Sequence, residues 1–411
     1  MLQCGLLGER LTHSYSPLIH QELGDYQYDL FEVEVTQLEN FIKTTPFHGL
    51  NVTIPYKQAA IAYCDALSPV AKAIGSINTI LRQADGRLYG DNTDAAGFLT
   101  LLTVSKMQVK NQKVLILGSG GSSLTLKQVL KAQGAKEIVV ISRSGKNNYH
   151  NLACHHDSQL IINTTPVGMY PNNGSSPLDL AEFPSLTGVI DLIYNPLKTA
   201  LLLQAERLAI PSIGGLVMLV AQAAAAAELF AGKVITWQRI NEIVTKIRQK
   251  SQNLILVGMP GAGKTTIGKA LAQLTGRRLL DTDQMIEAQK NQTIATIFNT
   301  AGEQKFREFE TAALKQAGKQ SGIIIATGGG CVTVAENYEL LKQNGVIIGL
   351  DRALNQLERT DRPLSQLDLA SMYQKRLPRY RQFANRQVAN DQTVETVAKK
   401  ILEVFYETLN Y

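Results

Sequence analysis

The stretch NLILVGMPGAGKTTIGKAL, near the middle of the chain, has the residue types and the spacing to hold a nucleoside triphosphate. It matches the pattern G-x-x-x-x-G-K-[ST] between an apolar run and a predicted helix. Glycines let backbone N–H groups face phosphate oxygens, and the start of a helix adds positive potential. Lys264 would neutralise the terminal phosphates, and the Thr265 hydroxyl would bind Mg²⁺. The predicted nucleotide-binding residues are Gly258, Gly261, Ala262, Gly263, Lys264, Thr265 and Thr266.

An acidic pair follows in the stretch LLDTDQMIE. Asp281 and Asp283 are two positions apart, so on a strand both carboxylates would point to the same face. Asp281 could then help Thr265 to hold Mg²⁺, while Asp283 meets the hydroxyl group that accepts the phosphate. The alternative is that these are ordinary acidic residues at the end of a strand.

A second glycine-rich turn lies earlier, in KVLILGSGGSSLTLKQVL. It has Ser123 where the dinucleotide pattern G-x-G-x-x-G has its third glycine, but a predicted strand precedes it and a predicted helix follows. The next strand ends in SRSGK, without the acidic residue that commonly binds the ribose of NAD. This basic segment suits a 2′-phosphate and predicts NADP(H); solvated loop residues are the alternative. The predicted cofactor-binding residues are Gly118, Ser119, Gly120, Gly121, Ser122, Ser142, Arg143 and Ser144.

The elements that must position these turns alternate along the chain. Short β-branched runs such as EIVVIS, GVIDLIY and GVIIGLD are separated by helical patterns, which predicts parallel sheets covered by helices, an α/β fold. The alanine-rich stretch Ala221–Phe230 is predicted to be a tightly packed helix. The stretch WQRINEIVTKIRQK predicts an amphipathic helix that leads almost directly into the strand at Asn253. We therefore place an abrupt domain boundary near residue 250.

Length and composition limit the classes of function. A chain of 411 residues has room for two or three domains. Its formal net charge of +6, without a long basic run, excludes a nucleic-acid stripe. The charge is typical of an ordinary solvated surface, and small anionic substrates are the alternative explanation. The four cysteines are widely spread, as expected of reduced thiols. Since we find neither a signal peptide nor an apolar run of about 20 residues, we expect a cytoplasmic protein without a membrane partner.

Ordered motifs over about residues 1–245 resemble shikimate dehydrogenase: THSYSPLIH, NVTIPYK, GSINTI, GDNTDAAGF, INTTPVGM, DLIYNPLKT and GGLVMLVAQAA. The resemblance implies a substrate-binding part at 1–95 plus 216–250 and a Rossmann NADP-binding part at 96–215. It implies that Gly215 and Met218 lie near the nicotinamide. The substrate-binding residues that it implies are Ser14, Ser16, Asn51, Thr53, Asn78, Tyr194 and Gln222.

By the same resemblance, Lys57 and Asp94 flank the reacting carbonyl group. Delivery of a hydride to a ketone leaves an alkoxide that needs a proton. A lysine beside a carboxylate can donate that proton and stabilise the developing charge. A surface salt bridge is the alternative for either residue alone.

The motifs GEQKFREFE, ATGGGCV, ERTDRPL and RLPRYRQFA follow the triphosphate-binding stretch, and together they resemble shikimate kinase across residues 251–411. The resemblance implies that Asp283 orients or deprotonates the substrate hydroxyl, and that Arg307 and Arg376 clamp the substrate carboxylate. Arg359 is expected near adenine, with Arg362 as the lid residue that reaches the phosphates. The glycines at which the backbone approaches the substrate ring are Gly328, Gly329 and Gly330.

Two segments depart from these families. Only Thr360 and Asp361 separate Arg359 from Arg362, so the kinase lid is short. The segment SGKNNYHNLACHHDS is short where relatives usually fit a further helix and strand, so the Rossmann part is trimmed. That segment contains His155 and His156, which could suggest a metal, but adjacent histidines have poor ligand geometry and a solvated loop is favoured. The other candidate ligands there are His150, Cys154 and Asp157.

We predict a bifunctional enzyme with a dehydrogenase domain at 1–250 and a P-loop kinase domain at 251–411. The first would reduce 3-dehydroshikimate to shikimate with NADPH, and the second would phosphorylate shikimate to shikimate 3-phosphate with ATP and Mg²⁺. Two alternatives stay open: a quinate/shikimate dehydrogenase that uses NAD, and a kinase whose dehydrogenase-like half is an impaired binding module. The expected partners are these small molecules, with no nucleic acid, in a monomer or weak homo-oligomer.

Overall fold

A computed structural model describes residues 2–11, 14–357 and 369–409. The chain divides into two compact units. The first comprises Met1–Met169, Ser175–Tyr194 and Leu201–Val244. The second comprises Tyr170–Gly174, Asn195–Ala200 and Thr245–Tyr411.

The first sheet of the first unit has six strands: β1 (Gln3–Gly8), β2 (Gln27–Glu32), β3 (Gly49–Val52), β4 (Ala66–Leu67), β5 (Thr79–Arg82) and β6 (Leu88–Asp91). Their order is β2-β1-β3-β5-β6-β4, with β5 antiparallel to β3 and to β6. The helices of this region are α1 (Ser16–Leu23), α2 (Leu38–Thr44), α3 (Pro69–Ile74) and α4 (Asp94–Ser105). Leu7, Leu50 and Ile80 are fully buried in the core on this sheet.

The second sheet of this unit has five parallel strands: β7 (Lys113–Leu117), β8 (Glu137–Ile141), β9 (Leu160–Asn163), β10 (Gly188–Asp191) and β11 (Ser212–Gly214). Their order is β11-β10-β9-β7-β8, so the direction in which successive strands are added to the sheet reverses beside β7. Open α/β sheets bind ligands at such a reversal. Its helices are α5 (Gly121–Ala132), α6 (Ala200–Arg207) and α7 (Leu216–Ala231). Only a 3₁₀ segment, Tyr149–His155, lies between β8 and β9, which confirms the prediction of a trimmed Rossmann part.

Helices α4 and α7 pack very closely. A Cβ atom placed on Gly97 of α4 would lie 2.8 Å from the Met218 backbone oxygen and 2.8 Å from the Gln222 Cβ. The alanine-rich stretch lies within α7, as predicted, and Ala223, Ala226 and Ala227 are fully buried. Small residues on both helices therefore bring their backbones together.

The third sheet, in the second unit, has five parallel strands: β12 (Asn253–Val257), β13 (Leu279–Asp281), β14 (Ile324–Ala326), β15 (Gly345–Asp351) and β16 (Arg386–Ala389). Their order is β13-β14-β12-β15-β16. The helix α8 (Trp237–Ser251) leads into β12 across Gln252 alone, as the sequence predicts. The other helices are α9 (Lys264–Thr275), α10 (Thr282–Lys290), α11 (Ile294–Gly318), α12 (Glu336–Lys342), α13 (Leu369–Phe383) and α14 (Val394–Leu409).

These sheets confirm the predicted α/β fold with a P-loop unit in the second half. In the described ranges, the thiols of Cys4 and Cys331 are buried, Cys154 is exposed and none of the four cysteines forms a disulfide. None of the described helices has the length and apolar character that a membrane span requires.

Candidate active sites

The first candidate site centres on an ion pair between Lys57 and Asp94. Lys57 lies in the loop after β3, and Asp94 is the first residue of α4. The Lys57 Nζ lies 2.5 Å from Asp94 Oδ2, and the side chains are only 17% and 10% exposed. Solvent and salt screen a pair this little exposed only weakly. The structure thus brings a proton donor and a carboxylate together.

Asn78 joins this pair to α7. Its Nδ2 donates to Asp94 Oδ1 at 3.0 Å and to Gln222 Oε1 at 3.3 Å. The backbone N–H of Thr93 donates to Asn78 Oδ1 at 2.7 Å, which fixes the orientation of the amide. Three predicted site residues from distant parts of the sequence therefore meet at one point.

Four further predicted substrate-binding residues lie on or beside β1, β3 and α1. The backbone N–H of Ser16 donates to Ser14 Oγ at 3.1 Å. Asn51, on β3, is 5% exposed, and its Nδ2 donates to Thr79 Oγ1 at 3.2 Å. Thr53 follows β3, and its backbone N–H donates to the Leu7 carbonyl oxygen at 2.9 Å. Their side-chain and backbone groups supply hydrogen-bonding capacity suited to a polar substrate.

The glycine turn after β7 lies next to the ion pair. Gly118 has φ +104°, and a Cβ there would lie 2.7 Å from Thr164 Oγ1, so a larger residue has no room. Gly120 is the N-cap of α5 and has no side chain that could bond the free N–H groups of the first turn. A Cβ on Gly121 would lie 3.6 Å from Lys57 Cδ. Ser119 and Ser122 belong to the same turn.

This turn fits a dinucleotide phosphate, because its uncapped N–H groups and the helix dipole favour an anion. Ser142, Arg143 and Ser144 directly follow β8, the strand beside β7. The Arg143 side chain is exposed and, among the described residues, forms no ion pair. It is therefore available to a phosphate group.

The remaining residues predicted for this site lie near β10 and α7. The Tyr194 ring lies 5.5 Å from the Tyr15 ring, centroid to centroid, and burial raises the pKa of Tyr194. Gly215 approaches another loop so closely that a Cβ would lie 2.0 Å from the Leu192 carbonyl oxygen. Met218 is buried on α7.

The second candidate site is the P-loop between β12 and α9. The Lys264 side chain is 7% exposed, and its Nζ donates to the carbonyl oxygens of Gly258 and Met259 at 2.8 and 2.9 Å. Gly263 has φ +88°, and a Cβ there would lie 2.8 Å from Asn390 Nδ2. The loop backbone therefore curls around the ammonium group. Gly261, Ala262, Thr265 and Thr266 complete the loop and the first turn of α9.

Thr265 and Asp281 meet beside the P-loop. Thr265 Oγ1 donates to Asp281 Oδ2 at 2.6 Å. The other carboxylate oxygen of Asp281 accepts the backbone N–H groups of Asp283 and Gln284 and so caps α10. The prediction that Asp281 and Asp283 share one face of a strand was wrong, because this cap starts a helix at Thr282 and places Asp283 in its first turn.

Asp283, Arg307 and the glycine-rich segment converge at the other side of this site. A Cβ on Gly328 would lie 2.6 Å from Asp283 Oδ1 and 2.5 Å from Glu310 Oε1. A Cβ on Gly330 would lie 1.6 Å from Arg307 Nη1. Only glycine lets the backbone pass this close to charged side chains, so these side chains pack directly against the backbone of a buried segment.

Arg376 lies under the same segment. Its Nη1 donates to the Gly329 carbonyl oxygen at 3.1 Å, and the Tyr380 hydroxyl donates to the same oxygen. The structure therefore brings Arg376 to Gly329. Arg359 and Arg362 lie outside the described residues.

Sequence reasoning missed Glu310, which is fully buried and accepts from Arg307 Nη1 at 2.8 Å. Burial raises the pKa of the Glu310 carboxyl, Arg307 opposes that rise and Asp283 adds to it. The signal was the i,i+3 spacing of Arg307 and Glu310 on one helix, which places both on one face.

Sequence reasoning also missed a cavity of about 380 Å³ beside the P-loop. Gly263, Thr266, Arg352 and Asn390 are among its lining residues. Asn390 Nδ2 donates to the Ala262 carbonyl oxygen at 2.7 Å, which ties this wall to the loop. The cavity therefore borders the P-loop directly.

The residues at the P-loop fit Mg²⁺ and a triphosphate. Mg²⁺ prefers oxygen ligands and usually keeps several waters, so a hydroxyl and one carboxylate suffice as protein ligands. Thr265 and Asp281 supply this pair. Within the described part of the chain there is no cluster of three or more His, Cys, Asp or Glu side chains that could hold a metal, and this includes the histidines near His155.

Comparisons with known proteins match both halves of the chain. The family model for the shikimate dehydrogenase substrate binding domain matches residues 6–80, and the shikimate kinase model matches residues 260–406. Shikimate dehydrogenase (NADP(+)) from Clostridium perfringens strain SM101 is 36% identical over 249 residues, which are 56% of this chain and 92% of the relative. The Clostridium beijerinckii enzyme of that name is 37% identical over 246 residues, 55% of this chain and 90% of the relative.

Solved structures give the same result for the first half. A chorismate mutase/shikimate 5-dehydrogenase fusion protein from Clostridium acetobutylicum has a TM-score of 0.58 and 35% identity over 60% of this chain and 97% of that chain. Shikimate 5-dehydrogenase from Thermus thermophilus, in complex with NADP(H) and shikimate, has a TM-score of 0.55 and 31% identity. This match covers 60% of the present chain and 99% of that chain. The resemblances found in the sequence are thus confirmed. The chain belongs to the shikimate dehydrogenase family and carries a shikimate kinase region C-terminal to its dehydrogenase part.

Proposed function

We propose that this chain catalyses two successive reactions. Residues 1–250 reduce 3-dehydroshikimate to shikimate with NADPH. Residues 251–411 then phosphorylate shikimate to shikimate 3-phosphate with ATP and Mg²⁺. The product of the first reaction is the substrate of the second.

One observation carries the dehydrogenase half of this proposal. The Lys57–Asp94 pair, with 2.5 Å between Nζ and Oδ2, lies beside Gly121 at the start of the cofactor-binding helix. Reduction of a ketone needs a proton donor next to the cofactor, and a shielded lysine–carboxylate pair supplies one. A surface salt bridge would be expected to be mostly exposed and distant from the glycine turn.

Bound NADPH would supply the hydride for this step. Lys57 Nζ donates a proton to the carbonyl oxygen as the hydride arrives, and Asp94 orients Lys57 and stabilises its charged form. Asn78 holds Asp94 in place and links it to Gln222. We assign Gln222 to the substrate hydroxyls. The serines at α1 and Asn51 complete the polar surface around the substrate.

ATP with Mg²⁺ would supply the phosphoryl group for the second step. Lys264 neutralises charge on the transferred group, and Thr265 and Asp281 would hold the metal. Asp283 orients the attacking hydroxyl group and takes its proton. Arg307 binds the substrate carboxylate, because a guanidinium matches a carboxylate through two parallel hydrogen bonds; we assign Arg376 the same role.

The test uses the purified full chain with 3-dehydroshikimate, NADPH, ATP and Mg²⁺. We expect NADPH oxidation and the appearance of shikimate 3-phosphate. Lys57→Ala should slow reduction by about 10²-fold or more, the usual size of a general acid–base effect, while phosphorylation of supplied shikimate continues. Lys264→Ala should do the reverse, so each variant is the control for the other.

A second candidate function is a kinase whose first half only binds a ligand. The observation that favours it is the 3₁₀ segment Tyr149–His155, the only helical segment between β8 and β9, which leaves little structure to cover the adenosine of the cofactor. The same assay separates the two. If the wild-type chain phosphorylates shikimate but consumes no NADPH with 3-dehydroshikimate, the first half is a binding module.

A further inference from the structure

An aromatic cluster lies directly behind the substrate-binding residues of the first unit. The His20 ring stacks on the Tyr28 ring at 3.9 Å between centroids, with 9° between the planes. His20 Nδ1 is hydrogen-bonded to the Tyr26 hydroxyl at 2.6 Å. His20 is 1% exposed and Tyr26 is 8% exposed. None of the three residues belongs to the set for which the sequence predicts a role.

The cluster reaches the site at Asn51, through the Tyr28 hydroxyl group and through His20. Tyr28 Oη donates to Asn51 Oδ1 at 2.8 Å. Asn51 Nδ2 in turn donates to Thr79 Oγ1 at 3.2 Å, so both ends of the amide are held. The Ser16 side chain lies near the Tyr28 hydroxyl and partly opposes the rise in the pKa of Tyr28. Tyr28 therefore touches two predicted substrate-binding residues that come from different elements, α1 and β3.

The cluster carries no charge near neutral pH. Burial lowers the pKa of His20 to about 3, and a hydrogen bond with Asn51 opposes this only partly. Burial also raises the pKa of Tyr28 well above its usual value. Both rings stay neutral, so the cluster holds geometry and does not exchange protons with the site.

In the part of the chain that the structure describes, the cluster makes no hydrogen bond to Lys57 or Asp94, the pair proposed to handle the proton. We propose that Tyr28 is a positioning residue for substrate binding: its hydroxyl group orients the Asn51 amide and aligns it with Ser16. This inference rests on the proposed dehydrogenase function. It separates the residues that bind substrate from those that perform the chemistry.

The test is Tyr28→Phe in the full chain, which keeps the ring on His20 and removes only the hydroxyl. We expect the KM for shikimate in NADP-dependent oxidation to rise about tenfold, while kcat changes less than about twofold, because loss of one positioning hydrogen bond leaves a buried acceptor unsatisfied. The KM for NADP should not change. The matched control is Tyr26→Phe, which removes a hydroxyl from the same cluster that contacts His20 and not Asn51.

A double-mutant cycle shows whether Tyr28 acts through Asn51. Asn51→Ser should raise the KM as well, and adding Tyr28→Phe to it should change the KM little further, because coupled residues are not additive. Additive effects, equal effects of Tyr26→Phe and Tyr28→Phe, or a fall in kcat at constant KM would overturn the proposal. If Tyr28→Phe fails to fold, an unchanged KM for shikimate in Asn51→Ser would by itself overturn the proposal. A wild-type chain without dehydrogenase activity would instead refute the proposed function.

Discussion

Replacing Glu310 with glutamine should raise the KM for shikimate at the kinase site about tenfold. Glu310 is fully buried and accepts from Arg307 Nη1 at 2.8 Å, while Arg307 packs against the backbone at Gly330. A hydrogen bond to a charged group is worth about 1.5–3 kcal/mol. Glutamine keeps the shape of glutamate and can still accept from the charged guanidinium, so the loss stays within that range, at most about 1.5 kcal/mol, or up to about twelvefold.

The assay measures the KM for shikimate with saturating ATP and Mg²⁺, coupled to ADP release. NADPH-dependent reduction by the same protein sample serves as an internal control and should not change. Glu303→Gln is the matched variant: Glu303 also accepts from Arg307 at 2.8 Å, but its side chain is 52% exposed, and surface ion pairs contribute little. Equal KM values for wild type and Glu310→Gln, or a larger effect from Glu303→Gln, would refute the reasoning.

Two further predictions concern the first unit. Arg143→Ala should raise the KM for NADPH about tenfold or more and leave the KM for NADH unchanged, because only NADPH carries the 2′-phosphate; NADH is the control within the same variant, and an equal loss for both cofactors contradicts the assignment. His20 has a folded-state pKa of about 3 against 6.5 unfolded, so its contribution to stability is complete above pH 6.5 and is lost as the pH falls toward 3. When the pH falls from 7.5 to 5.5, the free energy of unfolding of wild type should therefore drop by about 1.4 kcal/mol more than that of His20→Phe. The measurement is urea unfolding followed by the fluorescence of Trp237. Parallel pH profiles would show that His20 is not buried in the neutral form.

Features encoded by short stretches of sequence could be predicted. The two glycine turns each combine a strand, a turn and a helix start within about twenty residues, and such patterns depend on local backbone conformation. The junction of α8 with β12 could be predicted for the same reason, because a change of hydrophobic period from helix to strand is visible directly.

Asp283 shows where local reasoning chose the wrong element. The run of apolar residues before Asp281 indicated a strand that continues to Asp283, but β13 has only three residues. The Asp281 side chain accepts two backbone N–H groups and starts α10 instead. Aspartate is a preferred helix cap, so the competing signal was present in the sequence and was outweighed by the strand pattern.

The aromatic cluster could not be predicted, because it depends on pairing between distant strands. Tyr28 comes next to Asn51 only through the register of β1 with both neighbours, which pairs Cys4 with Tyr28 and Leu6 with Asn51. A shift of one residue in either pairing would turn the side chains to opposite faces of the sheet. Local patterns do not specify this register.

The tight packing of α4 on α7 has a consequence for how this protein can evolve. The alanine-rich stretch looks unconstrained by its composition, yet Ala223, Ala226 and Ala227 are fully buried, and Gly97 has no room for a methyl group. Each added methylene there would overpack the interface at a cost of about 1–3 kcal/mol. Asp94 and Gln222 lie on these two helices, so larger side chains in the interface would move these two proposed site residues apart. We expect the repetitive stretch to be among the slowest-changing parts of the chain.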